Sequence, residues 1–187
     1  MASYYRQSAI EKARHIWQNQ PVFLDTETTG LSSGSEIVEI SIIDHDGAVL
    51  LDTLVRPLQS IPVDVINIHG ITDEMVSSAP TWLHIWPKVE SLIQGRSVGI
   101  YNAEFDLRMM KQSHQRIGLP WRMPSSHIFC IMKLYADFSG DRKWQKLEIA
   151  GKRCGLSLPN THRAKDDTLL ARAVFRCMLA GDYAAGM

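Results

Sequence analysis

An α/β fold is what this sequence predicts: a mixed sheet flanked by helices within a single domain of residues 1–187. Three observations predict it. Short apolar runs with period-two alternation precede residue 60, with a tight-turn signal between two of them. Beyond residue 80, helical apolar spacing alternates with strand-like runs. The 187 residues are 45% hydrophobic and 21% charged, and they contain no repeat, low-complexity tract or linker, which suits one compact core.

The elements follow in order. Residues 8–18 set Ile10, Ala13, Ile16 and Trp17 at helical spacing, so a leading amphipathic helix is expected, in an extension of residues 1–20 ahead of a core of about residues 21–180. Residues 22–27 form a short strand. Residues 36–44 carry Val38, Ile40 and Ile42 on one face, Asp46-Gly47 signals a tight hairpin, and residues 48–55 return as the partner strand, stopped by Pro57. The sheet therefore begins as an antiparallel meander. Thr81 stands where it would cap a helix through Leu92, with Pro87 inside it. Residues 97–100 read as a strand and residues 103–117 as a helix ended by Gly118 and Pro120. Residues 126–131 read as a buried parallel strand. Residues 146–154 and 164–180 close the chain as helices, the second with Leu169, Ala173 and Val174 facing inward.

Composition excludes several classes. The longest apolar runs, such as residues 37–43, are too short to cross a bilayer and are interrupted by Glu39 and Ser41, so no membrane partner is expected. The first 20 residues carry Arg6, Lys12 and Arg14 but no apolar block, unlike a secretory signal. Three scattered cysteines (Cys130, Cys154, Cys177) lack zinc spacing and read as reduced thiols of a cytoplasmic protein. Net charge is zero, yet residues 1–93 hold five basic against twelve acidic side chains and residues 94–187 fifteen against eight. Such polarity can attract phosphates to a neutral protein. Folding mixes the two halves, so this carries modest weight.

The chemistry lies in three clusters. In Asp25-Thr26-Glu27, strand alternation points both carboxylates to one face and Thr26 to the other. They follow apolar Val22, Phe23 and Leu24, where charge needs a partner or a metal; two solvated acids on an exposed edge are the alternative. Asn102 and Asp106 share a face at the start of a helix, where an acid could equally complement the helix dipole. His162 precedes Asp167 by five residues, off-face on a continuous helix, which places the imidazole on the loop before it, reaching back as a proton acceptor. The other six histidines, among them His69 and His114, default to surface or capping positions. Four oxygen donors without cysteine suit Mg²⁺ or Mn²⁺ rather than zinc.

These residues resemble a known family. Residues 23–30 (FLDTETTG), 101–106 (YNAEFD) and 162–167 (HRAKDD) are similar, in order, to the three motifs of the DEDDh 3′→5′ exonucleases of the DnaQ-like superfamily, over nearly the whole chain. Residues 68–72 (IHGIT) resemble a segment of its proofreading-type branch. The sister class has Tyr four residues before the last Asp; here that position is Arg163, so the His class is indicated. The resemblance implies an RNase H-like mixed five-stranded sheet and hydrolysis of DNA or RNA with a free 3′ end, expected to be single-stranded, to 5′-mononucleotides. It implies two Mg²⁺ or Mn²⁺ ions per site held by Asp25, Glu27, Asp106 and Asp167, with His162 deprotonating the attacking water. It places Thr28, Leu31, His69, Asn102 and Phe105 at the terminal nucleotide. Each of these has a structural alternative: Thr28 as turn residue, Leu31 and Phe105 as core, Asn102 as cap, His69 as a residue ordering its loop. Trp82, Trp86, Trp121 and Trp144 are candidate base stackers or packing residues, and none is assigned. A polymerase proofreading subunit is the alternative, disfavoured by a chain ending soon after the last helix. A non-catalytic nucleic-acid-binding protein is the other. Nothing in the sequence supports a polymerase partner or a homodimer.

Overall fold

The computed structural model describes residues 2–124, 127–141, 143–159 and 161–181. The described chain runs α1 (Ala2–Gln18), β1 (Val22–Thr28), β2 (Ile37–Ile43), β3 (Val49–Leu54), α2 (Val63–His69), α3 (Asp73–Val76), α4 (Trp82–Ile93), β4 (Ser97–Ile100), α5 (Ala103–Arg116), β5 (His127–Cys130), α6 (Ile131–Ser139), α7 (Leu147–Arg153) and α8 (Ala164–Ala180). The strands form one mixed sheet in the order β3-β2-β1-β4-β5, with β1, β2 and β3 antiparallel and β4 and β5 parallel to β1 and to one another.

β1 lies at the centre because Val22, Phe23 and Leu24 are apolar on both faces, and both are covered. Phe23 packs with Ala9, Ile10 and Ala13 of α1, Tyr135 and Phe138 of α6 and Val174 and Phe175 of α8. The opposite face sets Val22, Leu24, Ile40 and Val98 against Trp82, Trp86 and Val89 of α4 and Met109 and Met110 of α5. The leading helix is thus built into the core. Gly99 is required where the layers meet: a Cβ there would lie 2.5 Å from the Phe129 ring. The β2–β3 hairpin closes where expected, with the Asp44 amide donating to the Ala48 carbonyl at 2.8 Å and Gly47 at φ +102°.

Several expectations need correction. All of β2 is buried, not one face. Glu27 pairs with Glu39 and Thr28 with Ile37, so Val38 is the extra residue of a β-bulge. It leaves the company of Ile40 and Ile42 for a small cluster with Ile61, Ile71 and Val76. The inward face of α8 is Leu170, Ala171, Val174, Phe175 and Met178, whereas Leu169 and Ala173 are only half-buried. β5 is an edge strand with only Phe129 buried, Ile131 begins α6, and Ser126 lies outside the described residues. Thr81 and Asn102 occupy N-cap positions without a side-chain capping bond; the Thr81 hydroxyl bonds His84 Nδ1 instead, at 2.7 Å. His114 is not at the surface but buried among Trp82, Trp86 and Trp121. Helices α2, α3 and α6 are additions to the predicted elements, although Ile131, Leu134, Tyr135 and Phe138 keep helical spacing.

Candidate active site

The central strand delivers the first two carboxylates. Asp25 and Glu27 alternate onto the face that carries Phe23, opposite Ser41 and Glu39 of β2. Asp167, in the first turn of α8, meets them there: oxygens of Asp25, Glu27 and Asp167 lie within 4.8 Å of one another. Asp106 arrives from the first turn of α5, and Thr26, pointing to the other side of β1, holds it by donating its hydroxyl hydrogen bond to Oδ1 at 2.7 Å. The four carboxyl groups line one cavity of about 650 Å³ together with His162, Asn102 and Phe105.

His162 sits before α8, as its spacing required. Its side chain is exposed and its backbone is left-handed, at φ +53°. The root of this loop is pinned by Glu39, which in the sequence reads only as an interruption of an apolar run. Glu39 accepts both from the Arg163 guanidinium, with Nε to Oε1 at 3.1 Å, and from the Ala164 backbone amide at 2.8 Å. It thereby caps α8 in place of the N-cap residue's own side chain. A charged residue amid IVEISII was the signal that could have found it.

Burial of so many acids has an electrostatic cost. Burial pushes the Asp25 carboxyl well above the usual carboxylate range, and repulsion from Asp106, Glu27, Asp167 and Glu39 adds to it. The Glu27 carboxyl is pushed up to about 9, first by burial and then by Asp167, Glu39 and Asp106, with Arg163 opposing. Asp106 is raised to about 7 by burial, against hydrogen bonds from Thr26 and from backbone amides. Among the described residues Arg163 opposes the rise at Glu27 without cancelling it. Hard oxygen donors that repel one another, with no thiol among them, fit a divalent cation.

A second cavity, of about 490 Å³, shares Glu27 and Phe105 with the first and is also lined by Thr28, Leu31, Ile68 and His69. Leu31 is not core but 78% exposed, and Phe105 is half-buried between the two cavities. Asn102, freed of a capping role, is exposed. Thr28 is a turn residue, its hydroxyl donating to the Gly30 carbonyl at 2.8 Å. His69 is 4% exposed. Its Nδ1 accepts from the Ile71 amide at 2.9 Å, so Nε2 carries the proton towards the Thr28 carbonyl at 3.2 Å. Burial lowers its basicity, and the neutral ring ties α2 to the end of β1. Of the four candidate base stackers, Trp82 and Trp86 are buried, Trp121 packs against them, and Trp144 stands exposed at the first cavity.

Comparison with known proteins bears on the family and the fold. The RNase T family model, described as an exonuclease, matches residues 22–175. An uncharacterised exonuclease of Escherichia phage 186, CP81, is 37% identical over 185 residues, covering 93% of this chain and 95% of that protein. The DNA polymerase III subunit epsilon of Treponema pallidum is 31% identical over 163 residues, 83% of this chain and 74% of that protein. The nuclease domain of 3′hExo, a DEDDh family member solved with bound rAMP, superposes with a TM-score of 0.73 at 21% identity, over 84% of this chain and 90% of that domain. At that identity the likeness concerns the fold, which is the RNase H-like exonuclease fold. Among the described residues no helix is long and apolar enough to cross a membrane.

Proposed function

This chain belongs to the RNase T exonuclease family, and from that membership we propose that it hydrolyses single-stranded DNA or RNA from a free 3′ end to 5′-mononucleotides. The observation that carries the reading is the meeting of four carboxyl groups and one exposed imidazole in a single cavity. Asp25, Glu27 and Asp167, with Asp106 beside them, would hold two Mg²⁺ or Mn²⁺ ions, directly or through water. When bound, such ions offset the carboxylate charge and polarise the scissile phosphodiester. His162 takes the proton of the attacking water, and its exposure lets it pass that proton to solvent. Thr26 fixes the Asp106 carboxylate, and the Glu39–Arg163 pair fixes the loop that carries the base. Leu31 and Phe105 in one cavity and Asn102 in the other present apolar and polar surface to the terminal nucleotide, while Thr28 and His69 shape the turn beneath it.

A second reading, a proofreading subunit acting beside a polymerase, is supported by the similarity to the epsilon subunit. The longer match, at higher identity, is to a phage protein named only as an exonuclease, and it supports the nuclease reading without a polymerase partner being named. The test is digestion of end-labelled single strands, mismatched duplexes and short RNA with Mg²⁺ or EDTA. Mononucleotides should accumulate only with metal, and a 3′-phosphate should block their release. Asp25→Ala and Asp167→Ala should abolish activity while the variants stay folded, with equal or higher Tm in EDTA because a repelling charge has gone. Metal-dependent cleavage retained by either variant, or cleavage of a circular single strand, would overturn the proposal.

A further inference from the structure

Trp144 is an exposed indole beside the catalytic cavity, which is unusual in this molecule. The buried tryptophans have sheet and helix partners, as Trp82 and Trp86 show in their contact with His114. Trp144 is 60% exposed and lines the cavity that holds Asp25, Glu27, Asp106, Asp167 and His162. Its position is nevertheless held. The next residue, Gln145, accepts a hydrogen bond through its carbonyl from the Tyr101 hydroxyl at 2.9 Å, and Tyr101 is buried at the end of β4. The Lys133 ammonium lies 5.5 Å from the ring centroid, and Lys146, exposed on the same cavity wall, follows two residues later. An anchored, exposed indole with two lysines close by offers a stacking surface to a nucleobase and counter-charge to its phosphates.

The two cavities meet at Glu27 and Phe105, so a strand with its scissile phosphate at the carboxylates extends towards both. One cavity offers Leu31 and Ile68 to a base; the other offers Trp144. We propose that Trp144 is a base-stacking platform of the substrate site: the nucleobase of one of the two nucleotides flanking the scissile linkage lies on its indole, with Lys133 and Lys146 facing the neighbouring phosphates. This rests on the exonuclease reading and assigns the subsite that gives it grip on the strand. Stacking of this kind accepts any base, so the platform favours affinity over sequence choice.

The test separates binding from cleavage. Affinity is read by fluorescence anisotropy with a labelled single strand whose 3′-terminal linkage is a phosphorothioate that resists hydrolysis, in Mg²⁺. Trp144→Ala should weaken binding about 5- to 100-fold, the worth of one base–aromatic stack, and Trp144→Phe should recover most of it. On the unmodified strand KM should rise with kcat within about threefold. The same strands are then made abasic at the terminal or the penultimate nucleotide. At one position the abasic change should weaken wild-type binding by a similar factor and leave Trp144→Ala indifferent, a non-additivity that a merely structural role would not produce. Unchanged affinity in Trp144→Ala, or equal sensitivity of both proteins to every abasic change, overturns the platform. Absence of 3′-end cleavage by the wild type overturns the exonuclease reading alone, since the binding arm still reads the stack.

Discussion

Replacing Glu27 by Gln removes one charge from the carboxylate cluster and keeps its shape, and the consequence for stability can be worked out with its sign. In the folded, metal-free protein the Glu27 carboxyl titrates at about 9, against an ordinary value of 4.5. A group whose folded value is raised adds stability that is complete below its unfolded value and is lost as pH rises through the folded one. The window is therefore about pH 4.5 to 9. Each unit of separation corresponds to about 1.4 kcal/mol, so by pH 8 the wild type has lost up to about 5 kcal/mol at this residue. Glu27 is only partly buried, and solvent screening brings the expectation to roughly 2–4 kcal/mol. A glutamine has nothing to lose in that window. Thermal unfolding in EDTA should show the two proteins alike near pH 5 and Glu27→Gln the more stable at pH 8, by about 5–15 °C for a chain of this length. Asp25 and Asp106, raised by the same burial, decline in both proteins, so the difference between the curves is the quantity to read. Mg²⁺ or Mn²⁺ should restore the wild type at pH 8 and help the variant much less. A difference that stays flat with pH, or a variant less stable at pH 8 in EDTA, would mean that Glu27 is already satisfied by protein partners and that the site does not await a cation.

Two further expectations concern the loop. His162→Ala should slow turnover by about 10²–10⁴-fold, with partial recovery at high pH and an unchanged metal-induced rise in Tm; loss of that rise would make His162 a ligand rather than a base. Glu39→Ala leaves the Ala164 amide and the Arg163 guanidinium without their acceptor. It should cost about 2–4 kcal/mol in urea unfolding, although it also removes a charge that raises Asp25 and Glu27. A neutral or stabilising result would show that repulsion outweighs the cap.

What the sequence revealed and what it hid follow from the range of the forces involved. β4 and α8 were readable to their ends, and β1 to within a residue, because alternation and helical spacing are local properties. Asp25, Glu27 and His162 could be placed for the same reason: strand period fixes a face, and five residues cannot share one on a helix. The bulge at Val38 was not readable, because it arises from pairing between β1 and β2 across the bend that carries Thr28. Nor was the inward face of α8, where the buried set includes Asp167 and Thr168, polar residues that hydropathy points outward. Leu31 and His69 each carried two readings, and local sequence could not choose between them. Leu31 is exposed at a cavity rather than packed as core, and His69, at the end of α2, is buried as the tie that orders the following turn.

The division between rigid and reaching parts explains why the residues occur where they do. Carboxylates that repel one another must be held by elements unable to yield, so two lie on the central strand and two in first helical turns, with Thr26 bracing Asp106. The imidazole proposed as the base, His162, is by contrast an exposed ring on a loop, where a proton taken up can be returned to solvent. The loop stays aimed because its next two residues are clamped by Glu39, which stands on β2 directly opposite Glu27. One strand pair thus carries a carboxylate of the cavity on one side and the anchor of the His162 loop on the other. The position of His162 is therefore set by the sheet register that sets Glu27, and a slip of one residue between β1 and β2 would disrupt both.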